Sequence, residues 1–220
     1  MTAPPSPPAA VVFDCDGLLL ETESSWTRAE EELFAGYGRV FGPDEKRALI
    51  GTSLLDGSLV LERLLAQPGR AEDLGHELLD LVGRRLVAEA APMPGAVELV
   101  LALRGCDIPV AVASNTPGRL VRGALAAAGV AELFEVVVTA DEVAEPKPSP
   151  DVYLRACELL AASPAASVGL EDSPTGVAAA RAAGLYVIGV PSFPGVLLDE
   201  ADLVAATLEH EAVRRALGVG

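Results

Sequence analysis

Cations are scarce in this chain: 16 lysines and arginines stand against 32 aspartates and glutamates, a formal net charge of -16 at pH 7. Nucleic acids and anionic membrane surfaces both demand a basic footprint on the protein, so neither is expected as a partner. Cysteine is also sparse. Cys15, Cys106 and Cys157 are odd in number, widely separated and free of any Cys-x-x-Cys spacing, which excludes a disulfide framework and a zinc pattern. A reducing cytoplasm is the expected compartment. The two histidines, His76 and His210, stand alone without a second ligand at metal spacing. No apolar run approaches the roughly 20 residues that span a bilayer. Met1 to Ala10 is proline-rich and lacks the basic flank and apolar centre of a secretory leader, so it is expected to be a disordered lead-in.

Apolar residues, by contrast, make up half of the 220 positions, enough for a full core in one domain with or without a smaller insert. Apolar strand patterns near 10–14, 108–113, 134–138, 166–170 and 185–190 alternate with helical stretches, which predicts a parallel sheet covered on both faces, a Rossmann-like α/β core. The interval between the first two strands is far longer than one crossover helix needs. It carries helical periodicity: Trp26, Ala29, Leu33 and Tyr37; Leu55, Leu61, Leu64 and Leu65; then Leu74, Leu78, Leu81, Val82 and Leu86. Gly51 and Pro68-Gly69 punctuate these stripes. Residues 23–92 therefore read as a helical bundle inserted into a core made of 1–22 and 93–220. A two-stranded connection near Leu20 to Glu23 and Ala91 to Gly95 would join them as a hinge.

The densest chemistry lies in Val11-Val12-Phe13-Asp14-Cys15-Asp16-Gly17. Successive side chains of a strand face opposite ways, so Asp14 and Asp16 leave the strand end on one side, about 7 Å apart along the chain, with Cys15 turned to the core. Further on, one apolar strand runs into Ser114-Asn115-Thr116-Pro117, Lys147 sits in Pro146-Lys147-Pro148-Ser149-Pro150, and another strand runs into Glu171-Asp172-Ser173-Pro174. Thr116-Pro117, Ser149-Pro150 and Ser173-Pro174 each look like an N-cap followed by proline at the first helical position. Ligands of parallel α/β sheets bind beyond the carboxyl ends of the strands, where these segments would converge on one composite site.

Taken together and in this order, the Asp-x-Asp-Gly, Ser-Asn, isolated Lys and Glu-Asp-Ser-Pro motifs resemble the haloacid dehalogenase superfamily, and within it the beta-phosphoglucomutase-like sugar phosphatases. The resemblance covers nearly the whole chain. It implies a helical cap inserted after the first motif and a phosphatase for a small phosphorylated metabolite, a sugar phosphate, working through an aspartyl-phosphate. Asp14 would be the nucleophile, since a carboxylate attacks without a base to activate it. Asp16 would protonate the leaving oxygen and later activate water. The implied cofactor is Mg²⁺, held by Asp14, Asp172 and the Asp16 main-chain carbonyl, with Glu171 ligating or holding a metal-bound water. Ser114 and Asn115 would donate hydrogen bonds to the phosphoryl group, and Lys147 would neutralise its charge.

Departures from the resembled pattern narrow the activity. Hexose-phosphate mutases of this kind place a histidine where this chain has Trp26, and an arginine soon after a cap glycine where it reads Gly51-Thr52-Ser53-Leu54; hydrolysis is favoured over mutase chemistry. The dehalogenating branch lacks the second aspartate, present here as Asp16. Phosphonate cleavage needs a cap lysine, and Lys46, the one lysine between 24 and 92, lies on a segment that reads as an exposed helix start. Glu23 and Trp26 are candidate substrate contacts from the cap, although Trp26 equally fits the apolar stripe of the first cap helix. From a different class, a phospho-aspartate switch or a silent phosphate-ester-binding module would share the acidic residues, but a receiver domain is little more than half this length and has no helical insert.

Overall fold

The computed structural model describes residues 3–50, 52–193 and 195–220. The expected break at Gly51 lies outside the described residues. The chain runs β1 (Val11–Phe13), β2 (Leu20–Glu21), α1 (Glu23–Gly36), α2 (Pro43–Leu49), α3 (Leu54–Leu65), α4 (Ala71–Glu89) and β3 (Ala91–Pro92). It continues with α5 (Ala96–Gly105), β4 (Val110–Ser114), α6 (Gly118–Ala127), β5 (Val136–Thr139), α7 (Asp151–Leu159), β6 (Val168–Glu171), α8 (Pro174–Ala182), β7 (Tyr186–Gly189), β8 (Leu203–Val204) and α9 (Glu211–Leu217).

Six of the strands form one parallel sheet in the order β5-β4-β1-β6-β7-β8. Its centre is β1, with Val11 level with both Val110 and Val168. The strand order reverses direction beside β1, which is where parallel α/β sheets open a crevice at their carboxyl ends. Alternation along β1 divides the core: Val11 and Phe13 pack with Leu99, Leu103, Leu125 and Leu217 on one face, and Val12 packs with Ala111, Tyr153 and Val177 on the other. Both faces are thus covered by helices, and this is why the strands read as unbroken apolar runs. The short edge strand β8 escapes the sequence reading, because two partly exposed residues carry no periodicity.

Helices α1 to α4 occupy the long interval after β2, with α4 packed against both α1 and α3. Ala29, Leu33, Phe34, Leu61, Leu65, Leu74, Leu78, Val82 and Leu86 are buried. Leu55 was expected in this stripe but is 71% exposed. Ser53 caps α3 by accepting from the Asp56 amide at 3.1 Å, and the phase this sets turns Gly57, Ser58, Leu61 and Leu65 inward instead. β2 and β3 pair antiparallel, Leu20 with Pro92 and Glu21 with Ala91, so the chain leaves and re-enters the core through adjacent strands.

Two local expectations are corrected. The lead-in is not free through residue 10: Pro8 and Ala10 are buried, and the Ala9 amide donates to the Ala166 carbonyl at 2.7 Å. Of the predicted N-caps only Ser173 holds, accepting from the Gly176 amide at 3.1 Å. α6 begins after Pro117 instead, and the free amide of Gly118 is met from a distance by Asp141 Oδ1 at 3.0 Å. Pro150 takes the cap position of α7, and Ser149 bonds the Asp151 side chain.

Candidate active site

The carboxyl ends of β1, β4 and β6 place Asp14, Ser114 and Glu171 side by side, with Lys147 reaching in from the loop before α7. Lys147 is 3% exposed and its ammonium meets three acceptors, Asp14 Oδ1 at 2.6 Å, Glu171 Oε1 at 2.6 Å and the Ala113 carbonyl at 2.9 Å. An ammonium has three protons, so each is used. Burial opposes the charge, but Asp14 and Glu171 outweigh it and hold the lysine above its ordinary range. The loop itself is clamped by Asn115, whose amide nitrogen donates to the Lys147 carbonyl at 3.0 Å while its oxygen accepts from the Lys147 amide at 2.7 Å. The Asn115 side chain, on the wall of the cavity described below, thus fixes the lysine backbone.

Glu171 is fully buried and bonded on both oxygens. Oε1 accepts from Lys147 and from the Tyr153 hydroxyl at 2.6 Å; Oε2 accepts from the Asp172 amide at 3.2 Å and the Ser173 hydroxyl at 3.3 Å. Gly176 is required there, because a Cβ would lie 1.9 Å from that carboxylate. Asp172 accepts from Ser192 at 2.6 Å, and at Gly17, which has φ +80°, a Cβ would come within 2.5 Å of Asp172 Oδ2. Asp14, Glu171 and Asp172 each offer a carboxylate oxygen within 4.8 Å of the others. Burial, reinforced by Glu171, pushes Asp172 up to about 8. Burial likewise raises Asp14 well above the carboxylate range; Glu171, Asp172 and Asp16 add to the rise and Lys147 opposes it. Burial thus holds protons on Asp14 and Asp172 that a bound cation would displace, and the all-oxygen donor set of Asp14, Glu171 and Asp172 suits a hard divalent cation.

Asp16 turns its carboxylate away from this cluster. Oδ1 accepts from the buried Thr22 hydroxyl at 2.8 Å and, at a long 3.4 Å, faces the Trp26 indole nitrogen; Oδ2 accepts from Ser114 at 3.2 Å. Asp14 and Asp16 share the wall of a cavity of about 200 Å³ between the strand ends and the inserted helices. Ser114, Asn115, Lys147 and Asp172 line the core side, and Glu23, Trp26, Lys46, Leu49, Leu61 and Leu78 the helical side. Trp26 therefore faces the cleft. Lys46 corrects the sequence reading: it is no exposed helix start but lies against the cavity, 2.9 Å from Glu30 and 3.5 Å from Glu23. His76 and His210 are exposed, the latter accepting from the Ala212 amide at the start of α9.

A family model, haloacid dehalogenase-like hydrolase, matches residues 8–184. The chain belongs to the haloacid dehalogenase-like hydrolases. Among curated relatives of this hydrolase is the protein CbbY of Rhodobacter capsulatus, 34% identical over 193 residues, spanning 83% of this chain and 85% of the relative. Another is the phosphorylated carbohydrates phosphatase of Thermotoga maritima, 32% identical over 179 residues, with 80% and 82% covered. A solved structure of a CbbY variant from Rhodobacter sphaeroides in complex with xylulose-(1,5)bisphosphate is similar at TM-score 0.82 and 30% identity, covering 96% of this hydrolase and 99% of that chain.

Four site residues were not legible beforehand. Thr22 and Lys46 stand in acidic or mixed-charge stretches that read as surface. Tyr153 sits on the apolar stripe of α7, where its hydroxyl gives no separate signal. Ser192 follows β7, and the rule that ligands gather beyond strand carboxyl ends was the one cue that could have raised it.

Proposed function

We propose that this hydrolase is a Mg²⁺-dependent phosphoric monoester hydrolase acting on a small phosphorylated sugar through an aspartyl-phosphate. The observation that carries the reading is the division of labour at the end of β1: Asp14 is gripped by Lys147 within the carboxylate cluster, while Asp16 enters the same cavity within a separate set of hydroxyl and indole donors. Asp14 and Asp172 are the residues to hold the cation, with Glu171 spending its own lone pairs on fixing Lys147, Tyr153 and the turn. The ion would screen the phosphoryl oxygens and bring Asp14 back toward ionisation.

An Asp14 oxygen attacks phosphorus in line with the ester oxygen; the new O–P bond forms as the ester P–O bond breaks. Asp16 gives its proton to the departing alkoxide. In the second half Asp16 takes a proton from water, whose oxygen attacks the aspartyl-phosphate and releases inorganic phosphate with Asp14 restored. Ser114 is placed to bond either Asp16 or a phosphoryl oxygen. Residues 23–92 act as a cap hinged at the β2–β3 ribbon, excluding bulk water during attack and admitting one for hydrolysis.

The test is a phosphate-release screen over hexose, pentose, glycerol and nucleoside monophosphates, with Mg²⁺ or excess chelator, beside Asp14→Asn. Release confined to Mg²⁺ and lost in the variant is expected. Full activity in chelator overturns the mechanism, and stable phosphorylation without turnover would assign the chain to the switches instead.

A further inference from the structure

The helical wall of the cavity holds a cation whose charge is already spent. Lys46, from α2, lies 2.9 Å from Glu30 Oε2 and 3.5 Å from Glu23 Oε2, both from α1, with side-chain exposures of 15%, 5% and 26% in the order Lys46, Glu30, Glu23. One carboxylate cancels an ammonium, and two exceed it. Among the described residues lining the cavity the remaining cation is Lys147, whose three protons are committed to Asp14, Glu171 and the Ala113 carbonyl. The rest of the helical side is mostly apolar, with Trp26, Leu49, Leu61 and Leu78, and carries hydroxyls at Thr52, Ser53 and Ser58.

A second phosphate on the substrate would carry roughly two negative charges into this wall and meet carboxylates before an unpaired cation. A sugar hydroxyl, in contrast, both donates and accepts, and an ammonium held between carboxylates offers each function. Resting on the phosphatase reading above, we propose that the site selects sugar monophosphates with an uncharged, hydroxylated leaving group. The Glu23–Lys46–Glu30 triad is then the element that rejects bisphosphates. In this respect the chain would part from its relative solved with a bisphosphate ligand.

Steady-state phosphate release from matched pairs tests this: fructose 1-phosphate against fructose 1,6-bisphosphate, and glucose 6-phosphate against glucose 1,6-bisphosphate. The wild-type protein should favour each monophosphate by about tenfold or more in kcat/KM, mostly through KM. Glu23→Gln and Glu30→Gln each remove the excess negative charge, leaving Lys46 paired with the other carboxylate, and should narrow that ratio by about tenfold, while Lys46→Met should widen it. Glu23, the more exposed carboxylate, carries the test if the buried Glu30→Gln variant does not fold. Equal use of both esters by the wild type, preference for the bisphosphates, or a ratio unmoved by Glu23→Gln overturns the proposal and leaves the phosphatase reading standing. No release from any ester overturns the reading beneath it.

Discussion

Asp172→Asn should make the metal-free protein more stable while destroying its activity. Asp172 is 6% exposed and sits against Glu171, which together with burial takes it from 3.8 to about 8. The folded protein therefore binds this proton more tightly than the unfolded chain does. The cost of ionising Asp172 is absent below about pH 4, grows as pH rises and is complete above about pH 8. At about 1.4 kcal/mol per unit it reaches roughly 5 kcal/mol at pH 9 but only about 1.5 kcal/mol at pH 5. Asparagine keeps the shape and can still accept from Ser192, though burying its amide takes back part of the gain. A net rise of about 2–3 kcal/mol, or roughly 5–10 °C in Tm, is expected in chelator at pH 9, shrinking toward nothing at pH 5. Excess Mg²⁺ should close or invert the difference, because only the wild type gains about 2.7 kcal/mol at a hundredfold excess over Kd. Thermal melts of both proteins at pH 5, 7 and 9, with chelator or Mg²⁺, decide the matter. A variant that melts below the wild type in chelator at pH 9 refutes the argument.

Two further outcomes follow from the same geometry. Lys147→Met leaves Asp14 and Glu171 buried without their shared cation, so it should cost about 3–5 kcal/mol in chemical denaturation and abolish turnover; an active variant of unchanged stability would contradict the pairing. Trp26→Ala should raise KM and alter ester preference, with a stability loss below the about 3–5 kcal/mol of a fully buried aromatic, because the ring lines the cleft and is only partly buried; unchanged preference with a large loss of stability would return Trp26 to the packing of α1.

The strands and their order of chemistry were readable because a doubly covered parallel sheet needs continuous apolar runs, and Val11 to Phe13 or Val110 to Ala113 have no other use. Asp14 and Asp16 could be paired from alternation alone. What alternation does not reveal is which way a carboxylate rotates once past the strand end: Asp14 joins Glu171 and Asp172, whereas Asp16 is drawn to Thr22, Trp26 and Ser114. Lys46 shows the same limit at longer range. In Asp44-Glu45-Lys46-Arg47 every neighbour is charged, and only the docking of α2 on the carboxylates of α1 carries the lysine into the cavity. Asn115 and Tyr153 likewise depend on partners from other segments, Lys147 and Glu171, that no local pattern names.

The position of β1 at the middle of the sheet has a consequence for synthesis. The first strand to leave the ribosome has no neighbour to pair with until Val110 and then Val168 have been made. Helices α1 to α4 pack mainly on one another and are complete by Glu89, so they can gather while β1 is still waiting. The expected order of assembly therefore puts helices α1 to α4 first and the cluster of Asp14, Glu171 and Asp172 last. Since Asp172 comes after β6, a growing chain completes this buried carboxylate cluster only when nearly finished.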